Sequence, residues 1–138
     1  MPRGIRYLVV HCTATPSGTK VESIQRYWRE HLGWKAPGYH QVILEDGTVV
    51  PLADDETICN GVAGYNRQAL HVSYIGGVDK DGKTAKDTRT PEQKAAIMSV
   101  LKGWRKKYPL AVIQGHRDFP GVSKKCPSFN ANVEYLHL

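Results

Sequence analysis

No apolar run in this 138-residue chain approaches the roughly 20 residues that a membrane-crossing helix needs. The opening Met1-Pro2-Arg3-Gly4-Ile5-Arg6 leads into a short apolar stretch with no small-residue cleavage site. Neither a Sec-type leader nor membrane insertion is therefore expected, and synthesis is expected in the cytoplasm. Cysteine is scarce and odd in number. Cys12, Cys59 and Cys126 form no Cys-x-x-Cys pair, which excludes a scaffold stapled entirely by disulfides. Internal repeats, low-complexity tracts and linker-like stretches are absent as well, so one domain over 1–138 is expected.

The charge that is present leans positive, with 19 Lys and Arg against 13 Asp and Glu, a formal net charge of +6. Basic proteins are drawn to polyanions, which include nucleic acids, anionic membranes and the acidic polymers of bacterial walls. Two clusters carry much of the charge. Lys80, Lys83, Lys86 and Arg89 surround a loop, and Lys102, Arg105, Lys106 and Lys107 fall in the last turns of a helix, where they complement its dipole. The chain has no recognisable DNA- or RNA-binding motif, so a nucleic-acid partner is not expected.

Residues 5–12 read as a buried strand rich in β-branched and aromatic side chains. Alternation places Ile5, Tyr7, Val9 and His11 on one face and Arg6, Leu8, Val10 and Cys12 on the other. After the Thr15-Pro16-Ser17-Gly18 loop, Thr19 and Glu22 suggest a capping box. Val21, Ile24, Tyr27, Trp28, His31 and Leu32 then form a helical stripe that stops at Gly33. A hairpin is predicted with arms at 39–44 and 48–52 around Glu45-Asp46-Gly47. Residues 53–70 show no period and read as a long surface loop before a strand at 71–75.

The clearest element opens with Thr90 as cap, Pro91 at the first helical position and Gln93 completing a capping box. Ile97, Val100, Leu101, Trp104 and Tyr108 keep helical spacing, so a helix is predicted over 91–107, ended by Pro109. A strand at 110–115 then delivers His116, and 117–129 is turn-rich around Cys126-Pro127. Strands and helices mixed in this way predict an α/β fold, a mixed central β-sheet flanked by helices on its faces.

His11 ends the first strand and His116 follows the last, with Cys126 ten residues further on in a loop tightened by Pro120, Gly121 and Pro127. Strand ends and the loops leaving them are where open α/β sheets place their sites. Two imidazoles and a thiolate make a catalytic zinc set that leaves a fourth position for water. Two histidines and a cysteine are easily found in any chain of this length, and the bland readings are a satisfied core histidine and a small buried thiol. Cys12 points to the face opposite His11 and is assigned to the core, and Cys59 reads as an inert or partly exposed thiol.

The pieces Val9-Val10-His11-Cys12-Thr13-Ala14-Thr15, Gly38-Tyr39-His40, Gly115-His116-Arg117-Asp118 and Lys124-Lys125-Cys126-Pro127-Ser128-Phe129 occur in this order. Together they resemble the type 2 N-acetylmuramoyl-L-alanine amidases, a group that includes phage lysozymes of amidase type and peptidoglycan recognition proteins. Asp46-Gly47-Thr48, Gly64-Tyr65-Asn66 and Gly76-Gly77 resemble the phage members, and the likeness runs from about residue 5 to residue 130.

The resemblance implies one Zn2+ held by His11, His116 and Cys126, with Tyr39 assisting catalysis near the metal. Lys124, in Lys-x-Cys spacing, matches the lysine that separates active phage amidases from recognition proteins that bind without cutting, and Lys125 is its neighbouring competitor. Tyr39 could orient water, donate to the oxyanion or help move a proton to the leaving amine. The implied substrate is peptidoglycan, cut between the lactyl group of N-acetylmuramic acid and L-alanine. A monomeric phage or prophage endolysin is expected, with an enzyme recycling wall fragments in the cytoplasm as the alternative place of action. Phage relatives often carry a histidine before Gly-Tyr-Asn, where this chain has Asn60-Gly61, so substrate contacts from that loop are not carried over. Two rival functions are weighed: a recognition module that holds peptidoglycan without hydrolysing it, and a cysteine hydrolase using Cys126 and His116, which would leave His11 without a task.

Overall fold

The first element among the described residues is a strand, β1 (Tyr7–Cys12), an inner strand of a five-stranded sheet. The structure, a computed structural model, describes residues 4–138; Met1-Pro2-Arg3, on which the leader expectation partly rests, lie outside the described residues. After β1 come α1 (Val21–Glu30), the hairpin β2 (Gln41–Ile43) and β3 (Val49–Pro51), and β4 (Ala69–Tyr74). The long helix α2 (Pro91–Lys107), the strand β5 (Val112–Gly115) and the short α3 (Ala131–Glu134) complete the order. The strands lie in the sequence β3-β2-β4-β1-β5, antiparallel only within the hairpin and parallel elsewhere. This is the expected mixed α/β sheet with helices on its faces.

Period-2 alternation sorts β1 as its sequence predicts. Leu8 and Val10 turn to one face, where with Leu70, Val72 and Tyr74 they meet Ile97, Leu101 and Trp104 of α2 and Ala131 of α3. Burying each large aliphatic chain there contributes about 1.5–3 kcal/mol. On the other face, Val42 and Ile75 pack against Ile24 and Trp28 of α1, while Val9 and Ala69 meet Val62 and Phe119. Ile5 departs from the expected alternation and joins the α2 face, because it precedes the strand and is not held by its pleat.

The α2 signals are realised in full: the Thr90 hydroxyl accepts from the Gln93 amide and the Gln93 side chain accepts from the Thr90 amide. Gln93 is completely buried, and its Nε2 also donates to the carbonyls of Ile43 and Ile75, tying the helix start to the sheet. The α1 cap differs from expectation. Lys20 occupies the cap position without a side-chain bond, because the Thr19 hydroxyl donates back to the Pro16 carbonyl (2.8 Å) and closes the preceding loop instead. Other bounds shift too, and the hairpin arms shorten to Gln41–Ile43 and Val49–Pro51. β4 begins two residues before 71, where its parallel register with Tyr7 starts, and β5 begins at Val112, leaving Leu110 95% exposed. No helix among the described residues is long and apolar enough to cross a membrane.

Candidate functional site

β1 and β5 run parallel, with Val10 opposite Gly115 as their last pair. The next residues on the two chains are His11 and His116, so the register alone sets the two imidazoles side by side. Their ring centroids lie 4.9 Å apart. Two bonds from backbone amides bring in Cys126: the Arg117 amide donates to the Cys126 carbonyl (2.8 Å), and the Cys12 amide donates to Cys126 Sγ (3.2 Å). Gly115 is required by this closure, since a Cβ there would come within 2.6 Å of Pro127 Cδ.

One donor atom from each of His11, His116 and Cys126 lies within 4.8 Å of the others, and Cys126 Sγ is 3.8 Å from His11 Nδ1. Neighbouring donors around a tetrahedral zinc ion sit roughly 3.3–3.8 Å apart. The trio therefore fits such an ion in chemistry and comes close to it in spacing. Its protonation is also suited to a cation. Burial, reinforced by His71, His116 and Lys124, holds His11 well below the usual imidazole range. Burial and then Lys124 push His116 down to about 4. Both imidazoles are thus neutral near pH 7, with a lone pair to give. Burial and contact with the Cys12 thiol push the Cys126 thiol up, so in the metal-free protein it keeps its proton. A bound cation reverses that preference, and the Cys12 amide stands ready to donate to the sulfur.

The trio opens into a cavity of about 510 Å³ between the strand ends, α1 and the loop around Asn60. Tyr27 and Leu32, expected within the buried stripe of α1, instead line this cavity and are 53% and 42% exposed. That side of α1 faces open space rather than the sheet. Tyr39 is half-buried, with its ring centroid 5.0 Å from that of His11 and its hydroxyl donating to the Cys12 carbonyl (3.2 Å). Burial and the nearby thiols push its phenol well above the usual tyrosine range, so it remains a neutral hydroxyl. Lys124 is exposed and lines the cavity, where its charge acts on His11, His116 and Cys126. Lys125 is exposed but does not line it.

Cys12 lies in the core, as alternation requires. Cys59 is fully buried rather than partly exposed. Sequence reasoning gives His71 no role and reads Asn66 only as part of the Gly64-Tyr65-Asn66 motif. His71, on β4, puts Nδ1 2.9 Å from His11 Nε2 and Nε2 3.0 Å from Asn66 Oδ1. A Cβ on Gly61 would come 2.3 Å from the His71 ring, so the ring fills the space a side chain at 61 would need. A histidine inside a buried apolar strand, on the same face as His11, was the available signal.

Comparison with known proteins agrees with this geometry. The family model for N-acetylmuramoyl-L-alanine amidase matches residues 1–129. The endolysin of Enterobacteria phage K11 is 38% identical over 122 residues, covering 88% of this chain and 79% of the relative. The solved Ph2119 endolysin from a Thermus scotoductus bacteriophage superposes with a TM-score of 0.74 at 27% identity, over 89% of this chain and 77% of that one. The amidase LysC from Clostridium intestinale shares the fold, with a TM-score of 0.79 at 21% identity over 98% and 84% of the two chains.

Proposed function

Because the chain belongs to the N-acetylmuramoyl-L-alanine amidase family, we propose that it is a zinc-dependent amidase whose catalytic domain spans 1–138. Its substrate is bacterial peptidoglycan, cut between the N-acetylmuramoyl lactyl group and L-alanine. The observation that carries the metal reading is the convergence of His11, His116 and Cys126 at the ends of parallel strands, facing an open cavity. His11, His116 and Cys126 would hold the zinc ion, and it would supply the Lewis acidity that polarises an amide carbonyl and makes water nucleophilic near neutral pH.

The other groups act around it. Lys124 brings a full positive charge to the cavity wall, where it stabilises the negative oxygen that develops as the amide carbon becomes tetrahedral. Tyr39, locked in its neutral form, serves as a hydrogen-bond donor at the same place once its single phenolic proton turns from the Cys12 carbonyl to the developing oxygen, and it cannot act as a general base near pH 7. A cysteine hydrolase needs the opposite of what Cys126 has, since a nucleophilic thiol requires a lowered value and this one is raised by burial.

The K11 relative is an endolysin, and we place this chain in the same role: a monomer made in the cytoplasm that reaches the wall after a separate protein permeabilises the membrane. Digestion of purified peptidoglycan, read by mass spectrometry, tests the reaction. Free stem peptides with new N-terminal alanine, beside glycan strands bearing intact lactyl groups, are expected. Bound zinc without any cleavage would instead identify a non-hydrolysing recognition module.

A further inference from the structure

Behind the three proposed ligands lies a second line of hydrogen bonds, running from His11 through His71 to Asn66. Its direction can be worked out from the far end. Asn66 Oδ1 accepts from the backbone amides of Gly61 (3.1 Å) and Val62 (2.8 Å), which fixes the carbonyl side of that carboxamide toward the loop. A carbonyl oxygen has no proton to give. His71 Nε2, 3.0 Å away, must therefore be the donor.

His71 is completely buried, and a neutral imidazole carries one N–H and one lone pair. With Nε2 protonated, His71 Nδ1 is an acceptor and His11 Nε2, at 2.9 Å, has to donate to it. His11 is left with a bare Nδ1, the atom that faces Cys126 Sγ at 3.8 Å. The relay thus delivers the lone pair to the place where the donors converge.

The His71 ring has little room to leave this arrangement. Gly61 lies so close that a Cβ would meet ring atoms at 2.3 Å. On another side the His40 ring stacks nearly parallel to it, inclined 14° with centroids 5.8 Å apart. His40 Nδ1 accepts from the His71 amide (3.0 Å) and its Nε2 donates to the Thr57 carbonyl (2.7 Å), so its tautomer is set as well.

We propose that His71 and Asn66 are positioning residues that hold His11 in the Nε2–H tautomer and aim its Nδ1 at the metal. This rests on the reading of His11, His116 and Cys126 as a zinc site. Partners that orient a ligating histidine typically account for a 10–100-fold change in metal affinity.

The test uses two variants and two readouts. His71→Phe keeps the ring volume and removes the acceptor, whereas His71→Asn places Oδ1 close to where Nδ1 was and keeps it. Zinc affinity is measured by competition with a chromophoric chelator, and the His11 tautomer by ring nitrogen chemical shifts in the metal-free protein. Wild-type protein should show His11 protonated on Nε2. His71→Phe should bind zinc 10–100-fold more weakly with a mixed His11 tautomer, and His71→Asn should lie within a few-fold of wild type. Unchanged affinity in folded His71→Phe, or His11 protonated on Nδ1 in the wild type, would overturn the relay. If wild-type protein takes up no zinc, the metal reading falls while the tautomer still decides the relay: Nε2–H supports it and Nδ1–H refutes it. The wild-type spectrum also decides it if His71→Phe does not fold.

Discussion

Gly61→Ala adds a single methyl group, and its effect can be worked from the structure. The new Cβ would stand 2.3 Å from Cε1 and Nδ1 of His71, where ordinary van der Waals contact begins near 3.4 Å. Ring or loop must withdraw by about 1 Å, and the ring is completely buried. Overpacking of this kind costs about 1–3 kcal/mol. Withdrawal also stretches the 2.9 Å bond from His11 to His71 past the hydrogen-bonding limit, which costs a further ~0.5–1.5 kcal/mol. Against this, replacing glycine by alanine restricts the unfolded chain and stabilises by about 0.4–1 kcal/mol where the backbone tolerates it.

The clash wins, for a net loss of about 0.5–4 kcal/mol. At about 2.1 cal/mol/K per residue, each kcal/mol moves the melting point of a 138-residue chain by about 3–4 °C, so Tm should fall by roughly 2–14 °C. The metal-free protein is melted, with circular dichroism as the readout, in wild-type and His71→Ala backgrounds. Without the His71 ring the same Gly61→Ala change should turn neutral or slightly stabilising, a departure from additivity that contacting residues show. An unchanged Tm in the single variant, or an equal loss in both backgrounds, would refute the packing argument.

Lys124→Ala should keep its zinc and lose about 10²–10³ in turnover, because an electrostatic donor to the developing oxyanion is gone; equal turnover on peptidoglycan would reject the role, and Lys125→Ala should change little. Cys126→Ser should lower zinc occupancy itself, and full retention by elemental analysis would overturn the ligand assignment. His116 has a value of about 4 when folded against roughly 6.5 when free, so between those pH values the unfolded chain binds more protons than the folded one. Stability of the metal-free protein should therefore be fully present above pH 6.5 and fall as pH drops through 4, with His11 adding in the same direction. Urea midpoints at pH 7.5, 6 and 5 check this, and a flat or rising series toward acid would contradict it.

The parts of the fold legible in the sequence were those fixed by local chemistry. The α2 cap needs only Thr90, Pro91 and Gln93 in the right order, and the β2–β3 turn needs only Asp46-Gly47. Features that depend on partners far along the chain were not legible. The start of β4 is set by pairing with β1 some 60 residues earlier, and the Thr19 hydroxyl was claimed by the Pro16 carbonyl rather than by its helix. At the site, residue types alone could not single out His11, His116 and Cys126; the ordered motifs around them did. His71 stayed unread because its task depends on strand order, which sets β4 beside β1 and brings its ring under Gly61.

Zinc is central to the proposed chemistry, and one experiment addresses it directly. Purified protein is analysed for zinc and assayed for L-alanine amino termini released from peptidoglycan, before chelation, after chelation and after zinc is restored. About one zinc per chain, with activity lost on stripping and recovered on reloading, is the predicted result. Protein that binds no zinc yet still cleaves after chelation would contradict both the ligand assignment and the mechanism built on it.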